Sequence, residues 1–215
     1  PRQKVGDMLA EVLSVHKICP RAEFADRIAT LLAEVGLPAA HAGRYPHEFS
    51  GGQRQRLGLA RALSVGPDLI VADEAVSALD VSIQAQILEL LGRLKAERGL
   101  SYLFITHDLG VVRYFCQRAA VMYLGRIVET GPVRALLDEP LHPYTRMLRA
   151  ASPVPDPVAA RKTVQVTGEV PSPLAPPPGC HFHPRCPLAK EACKHARPAV
   201  TDMGNGRTVA CHLYG

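Results

Sequence analysis

The stretch LIVADEAVSALDVSIQAQILELLGRLKAERGLSYLFITHD, residues 69–108, reads as one strand–helix–strand unit. Leu69 to Asp73 form a short continuous apolar run ending on a carboxylate, the pattern of a strand buried on both faces. Ile83, Ile87, Leu90, Leu91 and Leu94 then recur at helical spacing up to Gly99, where the helix is expected to stop. YLFITHD follows as a second buried-strand candidate that reaches His107. A strand, a crossover helix and another strand form the repeating unit of an open α/β sheet, whose ligand sites lie at the carboxyl ends of the strands. Asp73, Glu74 and His107 all fall at such ends.

Upstream, YPHEFSGGQRQRLGLARAL (residues 45–63) places Ser50 at a helix N-cap with Gln53 three residues on, a capping-box pattern, and the helix is expected to end at Gly66-Pro67. Gly51 and Gly52 allow a close backbone approach, and the free N–H groups of a helix N-terminus favour an anion, most often phosphate. No Gly-x-x-x-x-Gly-Lys-Ser/Thr loop occurs in the 215 residues, so this phosphate-facing helix comes without a phosphate-holding loop. Residues 5–15 and 22–35 read as helices, the second carrying Phe24, Ile28, Leu31, Leu32 and Val35 at helical spacing with Gly36 as its stop. Downstream come a short helix over 109–116 and AAVMYLGRIVETG, a hairpin turning at Gly125 whose first strand continues the α/β alternation. A helical stretch around LHPYTRMLRA precedes residues 152–178, whose eight prolines mark an extended connector.

The net charge of +5 and pI near 9.0 come from scattered basic residues, with only five Phe and six Tyr to stack bases, so the composition argues against nucleic-acid binding. No 18-residue apolar stretch and no signal-peptide pattern is present, which makes a cytosolic location the default. The start at Pro1, at the approach to a helix, suggests a fragment of a longer reading frame.

Four of the six cysteines crowd the end of the chain as Cys180-x5-Cys186-x6-Cys193-x17-Cys211. In a reducing compartment such a cluster points to metal more than to disulfides. The thiols could be unligated, hold zinc, or hold an iron–sulfur centre, and His181, His183, His195 and His212 add alternative zinc ligands. The tail has few large apolar residues and is expected to need a staple. Cys19 and Cys116 read as small buried hydrophobes.

Taken together, FSGGQ, LIVADE, SALD and His107 resemble, in order and spacing, the signature motif, Walker B strand, D-loop and switch histidine of the nucleotide-binding subunits of ATP-binding cassette (ABC) transporters. YPHEFSGGQRQR, VSIQAQILELL, VMYLGRIVETG and PLHPYT further resemble the branch serving oligopeptide, dipeptide and nickel importers. The resemblance implies an α/β fold: a partial P-loop NTPase (ABC cassette) with a parallel sheet and a helical subdomain, plus a small cysteine-rich C-terminal extension. The expected divisions are a partial helical subdomain over 1–48, the C-terminal part of the catalytic core over 49–151, the connector over 152–178 and a metal-binding tail over 179–215. Walker A, the adenine-stacking aromatic residue and the Q-loop glutamine would all precede Pro1, so the chain is expected to be truncated and inactive alone. Ala75 departs from the proline that commonly follows the Walker B carboxylates.

By the same resemblance, Glu74 and His107 are the catalytic residues, Glu74 polarising water and His107 contacting the γ-phosphate. Ser50, Gly51, Gly52, Gln53, Asp73 and Asp80 belong to the ATP site, with Asp73 holding Mg²⁺ through water. The signature motif would close on ATP held by a second ABC ATPase subunit, identical or paralogous. Two membrane permease subunits, and through them an external solute-binding protein, complete the implied transporter, which would place this subunit peripherally on the cytoplasmic face of the membrane. Cys180, Cys186, Cys193 and Cys211 are expected to hold a [4Fe–4S] cluster, with Zn²⁺ as the alternative. The implied function is ATP hydrolysis driving peptide uptake. The competing readings are a soluble ABC ATPase acting on nucleic acid and a metal-binding interaction module with a vestigial cassette.

Overall fold

A computed structural model describes residues 2–152 and 169–215, and the chain divides into two compact units, Pro1–His107 and Asp108–Gly215. Most of the proline-rich connector expected over 152–178 lies outside the described residues.

In the first unit, helix α1 (Val5–Val15) turns Val5, Leu9 and Leu13 inward, and α2 (Phe24–Glu34) turns in Ile28, Leu31 and Leu32. That spacing puts each triplet on one helical face. A single 3-10 turn over Arg21–Glu23 leads into α2, and Gly36, at φ +73°, reverses the chain after it. Helix α3 (Gly51–Leu63) adds Leu57, Ala60 and Leu63 to the same core.

Strand β1 (Leu69–Asp73) pairs in parallel with β2 (Ser101–Ile105) in the register Leu69↔Ser101 through Asp73↔Ile105. Helix α4 (Val81–Arg98) makes the crossover, sends Leu90 and Leu94 into the helical core, and ends at Gly99 with φ +68°. The expectation that these strands are buried on both faces fails. Ile70 and Tyr102 join the helical core, whereas Leu69, Val71, Leu103 and Ile105, on the alternate positions, are each about half exposed. With side chains alternating across the sheet, helices cover only one face among the described residues.

The second unit opens with α5 (Leu109–Phe115), capped by Asp108. Strands β3 (Arg118–Tyr123) and β4 (Arg126–Pro132) form the hairpin expected at Gly125. Leu124 and Gly125 both have positive φ, +42° and +74°, as a two-residue turn matched to strand twist requires. β3 therefore does not continue a parallel alternation; it starts an antiparallel sheet. Helices α6 (Val133–Asp138), α7 (Pro143–Ala151) and the single-turn α8 (Ala192–His195) come next, then β5 (Val200–Asp202) and β6 (Thr208–Ala210). The strand order is β3-β4-β6-β5, so the cysteine-bearing tail contributes two strands to the sheet that the hairpin begins.

Phe182 lies at the centre of this unit, fully buried among Val121, Tyr123, Val128, Leu136 and Leu137, with its ring edge-on to Tyr123 at 5.2 Å between centroids. Among the described residues, no helix is long and apolar enough to cross a membrane.

Candidate functional site

The chain passes from β1 into its following loop through Glu74, whose backbone N–H donates to Ile105 O at 2.9 Å and so extends the parallel pairing by one bond. Glu74 takes φ +46°, a left-handed conformation that a residue with a Cβ adopts only under constraint. The constraint is a tight turn in which Ser77 N–H and Ser77 Oγ both donate to Glu74 O, at 3.2 and 3.0 Å. The turn aims the Glu74 carboxylate along the ends of the strands, where Oε1 lies 3.2 Å from His107 Nδ1. Both side chains remain largely open to solvent. Asp73, also exposed, ends β1 opposite Ile105. Two carboxylates and an imidazole are thus presented at the carboxyl ends of two parallel strands.

Asp80 closes the loop. Its Oδ1 accepts from Ser82 Oγ at 2.6 Å and Ile83 N–H at 2.9 Å as the N-cap of α4, and these bonds, Ser82's first, hold its carboxyl below the usual aspartate range. The capping box at the start of α3 forms as expected: Ser50 Oγ accepts from Gln53 N–H at 3.3 Å and Gln53 Oε1 from Ser50 N–H at 3.0 Å. The two glycines behind Ser50 face the loop after β1. A Cβ on Gly51 would meet Leu79 Cδ2 at 3.3 Å, and one on Gly52 would meet Ile83 Cγ2 at 2.5 Å. Ser50–Gln53 and Leu79–Ile83 therefore form one packed corner of the first unit.

The expected metal centre is overturned. Among the described residues, no group of three or more His, Cys, Asp and Glu side chains is arranged to hold a metal ion, and the [4Fe–4S] cluster assigned to Cys180, Cys186, Cys193 and Cys211, with its zinc alternative, is withdrawn. The physical reason is that these cysteines are part of a packed interior. Cys180 and Cys186 lie against the Phe182 core, Cys193 and Cys211 are buried, and Cys193 Sγ accepts from Lys190 N–H at 3.4 Å. Burial, with the neighbouring thiols adding to it, raises the thiol pKa of Cys180, Cys186 and Cys211. Pairing of β6 with β4 and the core around Phe182 supply the staple that the apolar content of the tail alone did not reveal.

The His-Pro-Tyr element is structural. His142 caps α7, its Nδ1 accepting from Tyr144 N–H at 3.1 Å, with Pro143 at the first helical position. Its own N–H and that of Leu141 donate to the buried Glu129 carboxylate at 2.9 and 3.0 Å, and Arg207 Nη2 approaches the same carboxylate at 3.3 Å. Neither Glu129 nor Arg207 stands out in the sequence, because the contacts that join them to residues 139–142 are made only once β4, α7 and the tail have folded together. Ser77, the first residue of the SALD motif, has no site role of its own in the sequence reading, although its position three residues after Glu74 in a tight turn is a usable signal.

Comparison with known proteins agrees with this geometry. The ABC transporter family model matches residues 2–77, and the model for the oligopeptide/dipeptide transporter C-terminal region matches residues 128–193. The probable peptide ABC transporter ATP-binding protein y4tS of Sinorhizobium fredii is 54% identical over 213 residues, 99% of this chain and 60% of that protein. The oligopeptide transport ATP-binding protein AppF of Bacillus subtilis is 49% identical over 100% of this chain and 66% of its own length. A Brucella ovis protein named "Putative peptide import ATP-binding protein" is 50% identical over 98% of the chain and 67% of its own length. The chain belongs to the peptide ABC transporter ATP-binding protein family. It spans about two thirds or less of the length of these relatives. Among solved structures, cbiO1 from Clostridium perfringens, part of the ABC transporter complex cbiONQ, matches with a TM-score of 0.56 and 26% identity over 63% of this chain and 53% of that one. The likeness places the ABC ATPase α/β fold, with its parallel strands, on this member of the family.

Proposed function

We propose that this chain belongs to the ATP-hydrolysing subunit of an ABC importer that couples ATP binding and hydrolysis to peptide uptake. The observation that carries this reading is the pairing of Glu74 and His107 at the carboxyl ends of β1 and β2, with the Ser50–Gln53 corner built on the loop after Glu74. Glu74 is suited to polarise an attacking water and His107 to steady charge developing on a phosphoryl group. Ser50, Gly51, Gly52 and Gln53 offer the N-terminal donors of α3 to phosphate, and Asp80, by capping α4, fixes the loop between the two elements. The donor set fits a hard cation: Asp73 is an exposed carboxylate at the strand end beside Glu74, suited to hold Mg²⁺ through water. Held there with ATP, Mg²⁺ would supply neutralisation of phosphate charge.

The phosphates that α3 faces are those bound by a second ATPase subunit in a head-to-tail pair. Two permease subunits and an external solute-binding protein complete the proposed transporter, with this subunit peripheral on the cytoplasmic face. The names of the relatives, all peptide-transport ATP-binding proteins, support peptides as the solute class. The deciding experiment is Glu74→Gln in the assembled transporter. ATP binding is retained and turnover falls about 10²- to 10⁴-fold, the usual span of a general-base contribution. Undiminished hydrolysis would overturn the assignment.

A further inference from the structure

We propose that Ser77 is a positioning residue for the Glu74 carboxylate, an inference that rests on Glu74 being the catalytic carboxylate. The two oxygens of Glu74 face different partners. Oε1 lies 3.2 Å from His107 Nδ1, and Oε2 lies 3.4 Å from Ser77 Oγ. The Ser77 hydroxyl has one proton, shared between Glu74 O at 3.0 Å and Oε2 at 3.4 Å, so one side chain bridges the backbone and the carboxylate of the residue it steadies. Glu74 needs such steadying. At φ +46° its backbone is in a conformation that side-chain-bearing residues rarely hold, and its side chain is too exposed for packing to fix its rotamer.

Ser77 is itself held firmly. Val76, just before it, is buried, Leu79 N–H donates to Val76 O at 3.3 Å, and Asp80 ties the end of the turn to α4. The hydroxyl is therefore presented from an anchored turn to a flexible carboxylate. Because Ser77 is exposed, a threonine there has room for its extra methyl group while keeping the hydroxyl.

The test compares Ser77→Ala, Ser77→Thr and Glu74→Gln in the assembled transporter. For Ser77→Ala, kcat falls about three- to tenfold, the range expected for one hydrogen bond, while KM for ATP stays unchanged. Ser77→Thr restores kcat. In the 215-residue chain without nucleotide, at fixed pH, the His107 Nδ1 nuclear magnetic resonance signal moves in Ser77→Ala and returns in Ser77→Thr, because the carboxylate facing it is released and then recaptured. A wild-type kcat in Ser77→Ala, or a loss that Ser77→Thr does not recover, overturns the proposal. Normal turnover in Glu74→Gln would instead remove the underlying assignment of Glu74, so the two failures are distinguishable.

Discussion

Gly52 shows how one residue type can answer two demands. From the sequence, its lack of a Cβ suggests a close approach to an outside phosphate, but the structure places the tightest neighbour within the chain, Ile83 Cγ2, 2.5 Å from where a Cβ would stand. Ile83 is β-branched and helical, so its χ1 has little freedom to yield. Gly52→Ala is accordingly expected to destabilise the chain by about 1–3 kcal/mol, as overpacking of a tight contact does. Gly58, on the exposed side of the same helix with nothing within 4 Å of its Cβ position, supplies the contrast. Gly58→Ala should stabilise by up to about 1 kcal/mol through helix propensity alone. Urea unfolding of both variants checks the pair, and similar shifts would show that the Gly52–Ile83 contact relaxes freely.

At the scale of elements, β4 joins the hairpin to the tail, and the junction carries a pH dependence. His142 is buried with its pKa pushed down to about 4, mainly by burial, with Arg146 adding to the depression and the Glu129 carboxylate opposing it. Above about pH 6.5 the ring is neutral in both folded and unfolded chains. As pH falls below that, the unfolded chain takes up a proton that the folded one refuses, so stability is lost progressively toward pH 4, by about 1.4 kcal/mol per unit and about 3 kcal/mol in all. His142→Asn keeps an N-cap acceptor and should flatten this slope between about pH 6.5 and 4.5 in denaturant titrations. An unchanged slope would place the acid sensitivity in other groups.

The same junction marks where the sequence stops being legible. Local signals hold: the Ser50–Gln53 box, the stops at Gly36 and Gly99 and the turn at Leu124-Gly125 each arise from chemistry within a few residues. Glu74 and His107 are legible because a parallel strand pair brings the residues at its carboxyl ends together. β5 and β6 are not, since three-residue strands carry too little alternation to read, and the pairing of Thr130 with Thr208 spans 78 residues. Without that pairing in view, the four cysteines look like the only available staple.

For the whole molecule, the consequence is a tail held by packing. Chelators are expected to leave its melting behaviour unchanged, and a melting temperature that falls on chelation would show that a bound ion contributes. Two compact units, each with its own buried cluster, also predict separable responses to core damage. Phe182→Ala removes the ring around which Tyr123, Tyr144 and His142 pack and should destabilise the second unit by about 3–5 kcal/mol. Leu94→Ala, on α4 in the first core, should destabilise the first unit by about 2–5 kcal/mol. Hydrogen exchange measured along the chain distinguishes the cases, because slow amides report the stability of the cooperative unit they belong to. Phe182→Ala should speed exchange across β3, β4 and β6 and spare α1, α2 and α3, with Leu94→Ala giving the reverse. If either substitution loosened both sets equally, the two clusters would have to unfold as one cooperative body.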